Sequence, residues 1–118
     1  MSFKNITIYH NPRCSKSRQA LDFLESKQLD FKIVDYQKDI PSEDEVLSLI
    51  QKLKLPLNSI IRIDDKAFKE LSIKIDEYND IEAAKLIANN IKIIQRPIIV
   101  IDDNAVIARP IENLIKLF

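Results

Sequence analysis

The chain's one cysteine, Cys14, stands in Tyr9-His10-Asn11-Pro12-Arg13-Cys14-Ser15-Lys16-Ser17-Arg18, after a short β-branched run and just before a helical repeat of apolar residues. A thiol becomes a nucleophile when it ionises, and cationic neighbours or helix N–H groups favour that ionisation. The mouth of a helix supplies unpaired N–H groups and a partial positive charge of about half a unit. Arg13, Lys16, Arg18 and His10 add positive charge nearby in sequence. A lone cysteine in apolar text reads as a small buried hydrophobe, but Asn, Pro, Arg, Ser and Lys are not core text. Cys14 is therefore the candidate nucleophile. His10, four residues earlier across a turn, is either a hydrogen-bonding neighbour of the thiolate or a polar residue closing a strand.

The arginines are the second signal. Five of them, Arg13, Arg18, Arg62, Arg96 and Arg109, stand among thirteen lysines; two flank the cysteine, two precede prolines, and Arg62 sits in the apolar text Ile60-Ile61-Arg62-Ile63. Guanidinium offers paired donors in a fixed fork, the better match for a tetrahedral oxyanion. Several arginines converging on a low-pKa thiol would bind a phosphate-shaped dianion and present its central atom to sulfur. A phosphatase-like Cys-x5-Arg loop is excluded, because position 20 is Ala20 and the chain has no glycine. Cys14 with Arg18 is Cys-x3-Arg, so the other anion ligands must come from far along the chain.

Composition narrows the classes further. The chain has 118 residues, 46% of them hydrophobic, with no glycine, one cysteine and one histidine. Average usage is about 7% glycine, and neither GxGxxG nor GxxxxGK[ST] can be written without it. One cysteine forms no internal disulfide, CxxC pair or multi-thiolate zinc site, so any redox chemistry must borrow its second thiol and no metal is expected. Eighteen basic and eighteen acidic residues cancel, which leaves no excess charge for holding nucleic acid. The start lacks the apolar core of a signal peptide, and the apolar run Ile98–Ile101 is far too short to span a bilayer. The expectation is one cytoplasmic domain with no membrane contact.

The elements that must position these residues are legible in outline. Ile6 to Tyr9 reads as a strand stopped by Asn11-Pro12, and Ala20, Leu21, Phe23 and Leu24 mark a helix starting close to Cys14, with Ser15 and Ser17 available to cap it. Phe31 to Tyr36 returns to strand, completing a βαβ unit. Ser42 with Glu45 is a capping box for a helix over 43–53 whose stripe is Val46, Leu49, Ile50 and Leu53. Shorter helical pieces follow near Ile60, over 67–71 and over 80–88. Ile98–Ile101 is a buried-strand run, turned by Asp102-Asp103-Asn104 into a hairpin partner over 105–108, with Asn104 or Asp103 expected to take the positive φ. Pro110 fits the first turn of a last helix bearing Ile111, Leu114, Ile115 and Phe118. This order predicts a small α/β domain, a sheet with parallel and antiparallel parts covered by helices.

Taken together, Ile6 to Arg18, Ile60-Ile61-Arg62, Gln95-Arg96-Pro97-Ile98-Ile99-Val100 and Ala108-Arg109-Pro110 resemble, in order, the signatures of the glutaredoxin-coupled arsenate reductase (ArsC) family. Arg13, Ser15 and Lys16 stand where well-studied members tend to carry Ala and Gly-Thr, and the wording looks closer to a short branch. The resemblance implies a thioredoxin-like fold, a mixed sheet flanked by helices, with a helical insertion over about 43–92 between the second and third strands. It implies Cys14 as nucleophile, His10 tuning it, Ser17, Asn11 and Arg18 shaping the loop, Arg62, Arg96 and Arg109 as oxyanion ligands, and Pro97 as a cis-proline. The implied chemistry is a Cys14 thiol-arsenate adduct resolved by glutathione and glutaredoxin, with no bound cofactor. Two alternatives share the fold: a glutathione-dependent monothiol oxidoreductase of glutaredoxin type using Cys14-x-x-Ser17, and a redox-responsive RNA polymerase-binding regulator. The regulators generally rely on a CxxC pair, and Ser17 occupies the place of its second cysteine.

Overall fold

The computed structural model describes residues 5–118; Met1 to Lys4, the opening of the start read above, lie outside the described residues. In chain order the elements are β1 (Ile6–His10), α1 (Ser15–Ser26), β2 (Lys32–Asp35), α2 (Glu43–Leu53), α3 (Leu57–Ile60), α4 (Lys66–Lys69), α5 (Asp80–Asn89), β3 (Ile98–Ile101), β4 (Asn104–Ile107) and α6 (Glu112–Ile115), with 3-10 turns at Ile75–Glu77 and Ile91–Ile93. They fall into two compact units, one drawn from Met1–Asp39 and Arg96–Phe118, the other from Ile40–Gln95. The second includes residues 43–92. None of the described helices is long and apolar enough to cross a membrane.

The first unit holds the sheet, in the order β2-β1-β3-β4. β1 runs parallel to β2 and antiparallel to β3, and β3 pairs antiparallel with β4. This is the mixed sheet expected, in a thioredoxin-like arrangement. Period-2 alternation sends Ile6, Ile8, Ile99 and Ile101 to one face, where they meet Ala20 and Leu24 of α1 together with Ala108 and Leu114. Each such isoleucine contributes about 1.5–3 kcal/mol by leaving water. Phe23 and Phe118 close the rim edge to face, their ring centroids 5.5 Å apart. The register pairs His10 with Asp35 and Tyr9 with Ile98, so the carboxyl ends of β1 and β2 and the amino end of β3 share one sheet edge. Asn11, Tyr36 and Arg96 follow or precede those strand ends there.

In the second unit α2 packs against α5. Val46, Leu49, Ile50 and Leu53 of α2 and Ala83, Ala84 and Ile87 of α5 are buried, as the apolar spacing of α2 predicts. α2 starts where expected, because the Ser42 side chain accepts the Glu45 N–H at 3.1 Å. α5 is opened by a capping box of Asn79 and Glu82 that the sequence reading did not single out.

With no glycine available, left-handed backbone falls on Gln28, Lys54, Ser72 and Asp102. The hairpin turn therefore uses Asp102, not the expected Asn104 or Asp103. Its carboxylate accepts the Asn5 N–H at 2.9 Å and its own N–H donates to the Asn5 carbonyl at 2.8 Å, a long-range tie that selects this residue. Lys54 ends α2 at φ 55°, a position where glycine usually sits. An L-residue with a Cβ is disfavoured there, so Lys54→Gly is expected to raise unfolding stability by roughly 0.5–1 kcal/mol in urea titration, against a neutral or negative effect at a mid-helix site such as Lys52. The last helix is also shorter than read: α6 is one turn, preceded by Pro110 rather than containing it.

Candidate active site

The loop after β1 is built by side chains folding back on it. Asn11 Oδ1 accepts the Arg13 N–H at 3.0 Å, an Asx turn, and the Cys14 N–H donates to the Asn11 carbonyl at 3.0 Å. Cys14 thereby becomes the N-cap of α1, in extended backbone and with no side-chain cap bond, and its carbonyl accepts the Arg18 N–H at 3.0 Å. Neither Ser15 nor Ser17 caps the helix as expected. Ser17 is fully buried, and its Oγ accepts the Asn11 N–H at 2.9 Å while lying 2.7 Å from His10 Nδ1.

That pair holds the His10 ring in place. Burial lowers its pKa, Arg18 adds to the effect, and Asp35 and Ser17 oppose it. The ring is thus neutral at pH 7. Ser17 Oγ accepts the Asn11 N–H and still has a proton and a second lone pair with which to meet His10 Nδ1. This corrects the expectation that His10 adds positive charge: its bond goes to Ser17, and burial removes the cation. A histidine whose folded pKa is depressed stabilises the fold fully above about pH 6.5, and the contribution is lost as pH falls through the folded value. The melting temperature of the wild type is expected to drop more steeply between pH 7 and 5 than that of His10→Gln.

Cys14 is partly exposed and reduced. Burial alone raises its pKa, but the N–H groups of Ser17 and Lys16 and the hydrogen-bonding guanidinium of Arg96 outweigh burial, and the net shift is downward. Arg109 reaches Sγ from the segment before α6, with Nη1 3.9 Å from the sulfur. The structure thus gathers Cys14, Arg96 and Arg109 from three distant parts of the sequence, with Ser17, His10 and Asn11 beneath. Arg18 is exposed and donates through Nη1 to the Pro12 carbonyl at 3.2 Å, which braces the loop. The Arg96-Pro97 peptide is cis, and so is Arg109-Pro110.

Arg62 lies in the second unit. The bridge between Ile61 and Ile94 sets its backbone, with Arg62 N–H on the Ile93 carbonyl at 2.7 Å, and its guanidinium pairs with Asp65 at 3.1 Å. Sequence reasoning passed over Tyr36. It is 1% exposed, its hydroxyl has no hydrogen-bond partner, and neither has the buried Nε of Arg96. The signal was available: a tyrosine one residue past a predicted strand, on the edge where the cysteine loop begins. Among the described residues no group of three or more His, Cys, Asp or Glu could hold a metal ion. Chemically, the arrangement sets helix N–H groups and two guanidinium forks around a thiol whose pKa they lower, a combination able to bind an anion beside sulfur.

The sequence profile of the ArsC family matches residues 9–117. An arsenate reductase of Neisseria meningitidis serogroup B is 34% identical over 110 residues, covering 92% of this chain and 94% of that protein. One of Escherichia coli is 29% identical over 113 residues, covering 96% of this chain and 80% of that protein. The solved structure of an arsenate reductase from Vibrio cholerae superposes with a TM-score of 0.89 at 31% identity, covering 99% of this chain and all of that one.

Proposed function

Because the chain belongs to the ArsC family, we propose that it is an arsenate reductase in which Cys14 is the nucleophile and glutathione with glutaredoxin supplies the electrons. The observation that carries this reading is the convergence of Ser17 and Lys16 N–H groups and the Arg96 and Arg109 guanidiniums on one thiol. Cys14 thiolate attacks the arsenic of arsenate and a hydroxyl leaves as water, giving the thiol-arsenate adduct. A glutathione thiol then attacks the arsenic and displaces a second hydroxyl as water. A glutaredoxin thiol attacks that glutathione sulfur, and the sulfur–arsenic bond breaks to give the mixed glutathione–glutaredoxin disulfide and leaves its electron pair on arsenic, now As(III) on Cys14. Water hydrolyses the Cys14–arsenic bond to release arsenite. Overall, arsenate and two thiols give arsenite, water and a disulfide, and Cys14 returns to its starting state.

The residues have separate roles in this scheme. The first-turn N–H groups of α1 and Arg96 hold the sulfur as thiolate and then hold the oxyanion. Arg109, more exposed, engages the oxyanion's outer oxygens. His10 and Ser17 fix the Asn11 loop, so the helix mouth stays aimed at sulfur. Arg62, already engaged by Asp65, is left out of the step. A lone thiol that borrows its reductants suits a reducing compartment, and we place the protein in the cytoplasm.

The test is arsenate-dependent NADPH oxidation with glutathione, glutaredoxin and glutathione reductase supplied. Turnover that needs both thiol partners supports the scheme; deglutathionylation of mixed disulfides with no response to arsenate would favour the monothiol oxidoreductase instead.

A further inference from the structure

The first acidic residue of the chain is Asp22; Lys4, Arg13, Lys16 and Arg18 all precede it, in a chain whose net charge is zero. Arg13, Lys16 and Arg18 lie around Cys14 and are exposed. The Arg18 guanidinium braces the loop through the Pro12 carbonyl. Arg13 and Lys16 have no such task. Among the described residues the ion pairs join Arg62 to Asp65 and Lys66 to Glu70, and no carboxylate pairs with either of these two side chains. Lys16 also lies in the first turn of α1, where a cation opposes the helix dipole, so folding gains nothing from its charge. Against burial, the thiol's pKa is drawn down by the Ser17 N–H, Arg96 and the Lys16 N–H, groups that remain when the Arg13 and Lys16 side chains are replaced.

We propose that Arg13 and Lys16 select the thiol co-substrate, holding the two carboxylates of glutathione as its sulfur approaches Cys14. The proposal rests on the reading of Cys14 as a nucleophile served by glutathione, and it adds the residues that recognise that thiol. Glutathione is a tripeptide whose central cysteine has a glycyl carboxylate on one side and a γ-glutamyl carboxylate on the other. The chain offers a matching layout, with Arg13 just before Cys14 and Lys16 two residues after it. Neighbouring Cα atoms are about 3.8 Å apart, so both long side chains are rooted close to the sulfur. Arginine takes a carboxylate through two parallel N–H bonds, and lysine takes one as a point charge. Two cations on so short a span match one small molecule with two carboxylates, whereas a protein face would need a broader patch. Exposed pairs of this kind are individually weak, which suits a co-substrate that must leave after each turnover.

The test reads thiol–disulfide exchange in the full chain, comparing wild type with Arg13→Gln, Lys16→Gln and the double variant. Cys14 thiolate attacks one sulfur of a disulfide, the S–S bond breaks, and one thiolate departs while a mixed disulfide stays on Cys14. The second-order rate with glutathione disulfide is divided by the rate with uncharged hydroxyethyl disulfide, so a change in the intrinsic reactivity of the thiol cancels. Each substitution is expected to lower this ratio roughly two- to fivefold, and the double variant should lose more than either. Added salt should lower the wild-type ratio more steeply than that of the double variant. A ratio unchanged in the double variant overturns the proposal, as does a loss that salt does not reproduce in the wild type. If the ratio holds while glutaredoxin clears a preformed Cys14–glutathione disulfide more slowly from the double variant, the two cations serve the protein partner, and the proposal also falls. Failure of the arsenate reading looks different: the wild type shows no arsenate-dependent turnover, while the exchange ratio, measured without arsenate, still decides the role of Arg13 and Lys16.

Discussion

Replacing Cys14 by Ser is expected to remove arsenate-dependent turnover, by about four orders of magnitude or more in kcat, because a nucleophile knockout leaves only the binding machinery. A serine hydroxyl stays protonated where this thiol is drawn toward its anion by Ser17 and Lys16 N–H groups and by Arg96. The same substitution should leave the fold intact or strengthen it. Cys14 is the N-cap of α1 and makes no side-chain cap bond, whereas serine is among the best residues at that position, with caps of this kind contributing typically about 1 kcal/mol. A variant that melts at or above the wild-type temperature and does not turn over separates chemistry from folding. Coupled assay and thermal melt on the same preparation check both halves; substantial residual turnover would displace Cys14 from the mechanism.

The second large effect is expected at Arg96. Arg96→Ala takes away a hydrogen-bond donor to the thiol, a nearby positive charge and a fork for the oxyanion, and should lower kcat/KM by roughly 10²–10³, as loss of a preorganised oxyanion donor does elsewhere. The alkylation profile of Cys14 should move to higher pH in the same variant, since the interactions with Arg96 are among those that lower its pKa. Arg96→Lys restores the charge without the planar fork and should recover only part of the loss. Arg109→Ala is expected to cost less, because its side chain is exposed and solvent screens its charge. Steady-state kinetics across the three variants orders them; an Arg109 effect larger than that of Arg96 would reverse the assignment.

How far the letters carried the fold depended on how local each cause was. Ser42 followed by Glu45 and a four-residue apolar stripe placed α2 at both ends, since cap and stripe lie within one segment. Ile98–Ile101 was equally plain, bounded by Pro97 and by two aspartates. The misses have non-local causes. Asp102 takes the positive φ because Asn5, ninety-seven residues away, ties down its side chain and backbone. Ser17 looks like a cap in sequence, yet His10 and Asn11 claim its hydroxyl once the loop closes. His10 looks like a cation until burial is counted. At the site, Cys14 and its arginines were legible as residue types, and the fold supplied what sequence could not: Arg96 and Arg109 reach Cys14. Arg62 has a local partner, Asp65, three residues along the chain.

The account turns on an activated thiolate that meets an oxyanion, and one measurement reaches both parts: the rate of Cys14 alkylation by iodoacetamide across pH, with and without arsenate. The expected midpoint lies below the ordinary thiol value of about 8.5, and arsenate slows the reaction in a saturable way that Arg96→Ala weakens. A thiol that titrates as free cysteine and ignores arsenate would contradict the account.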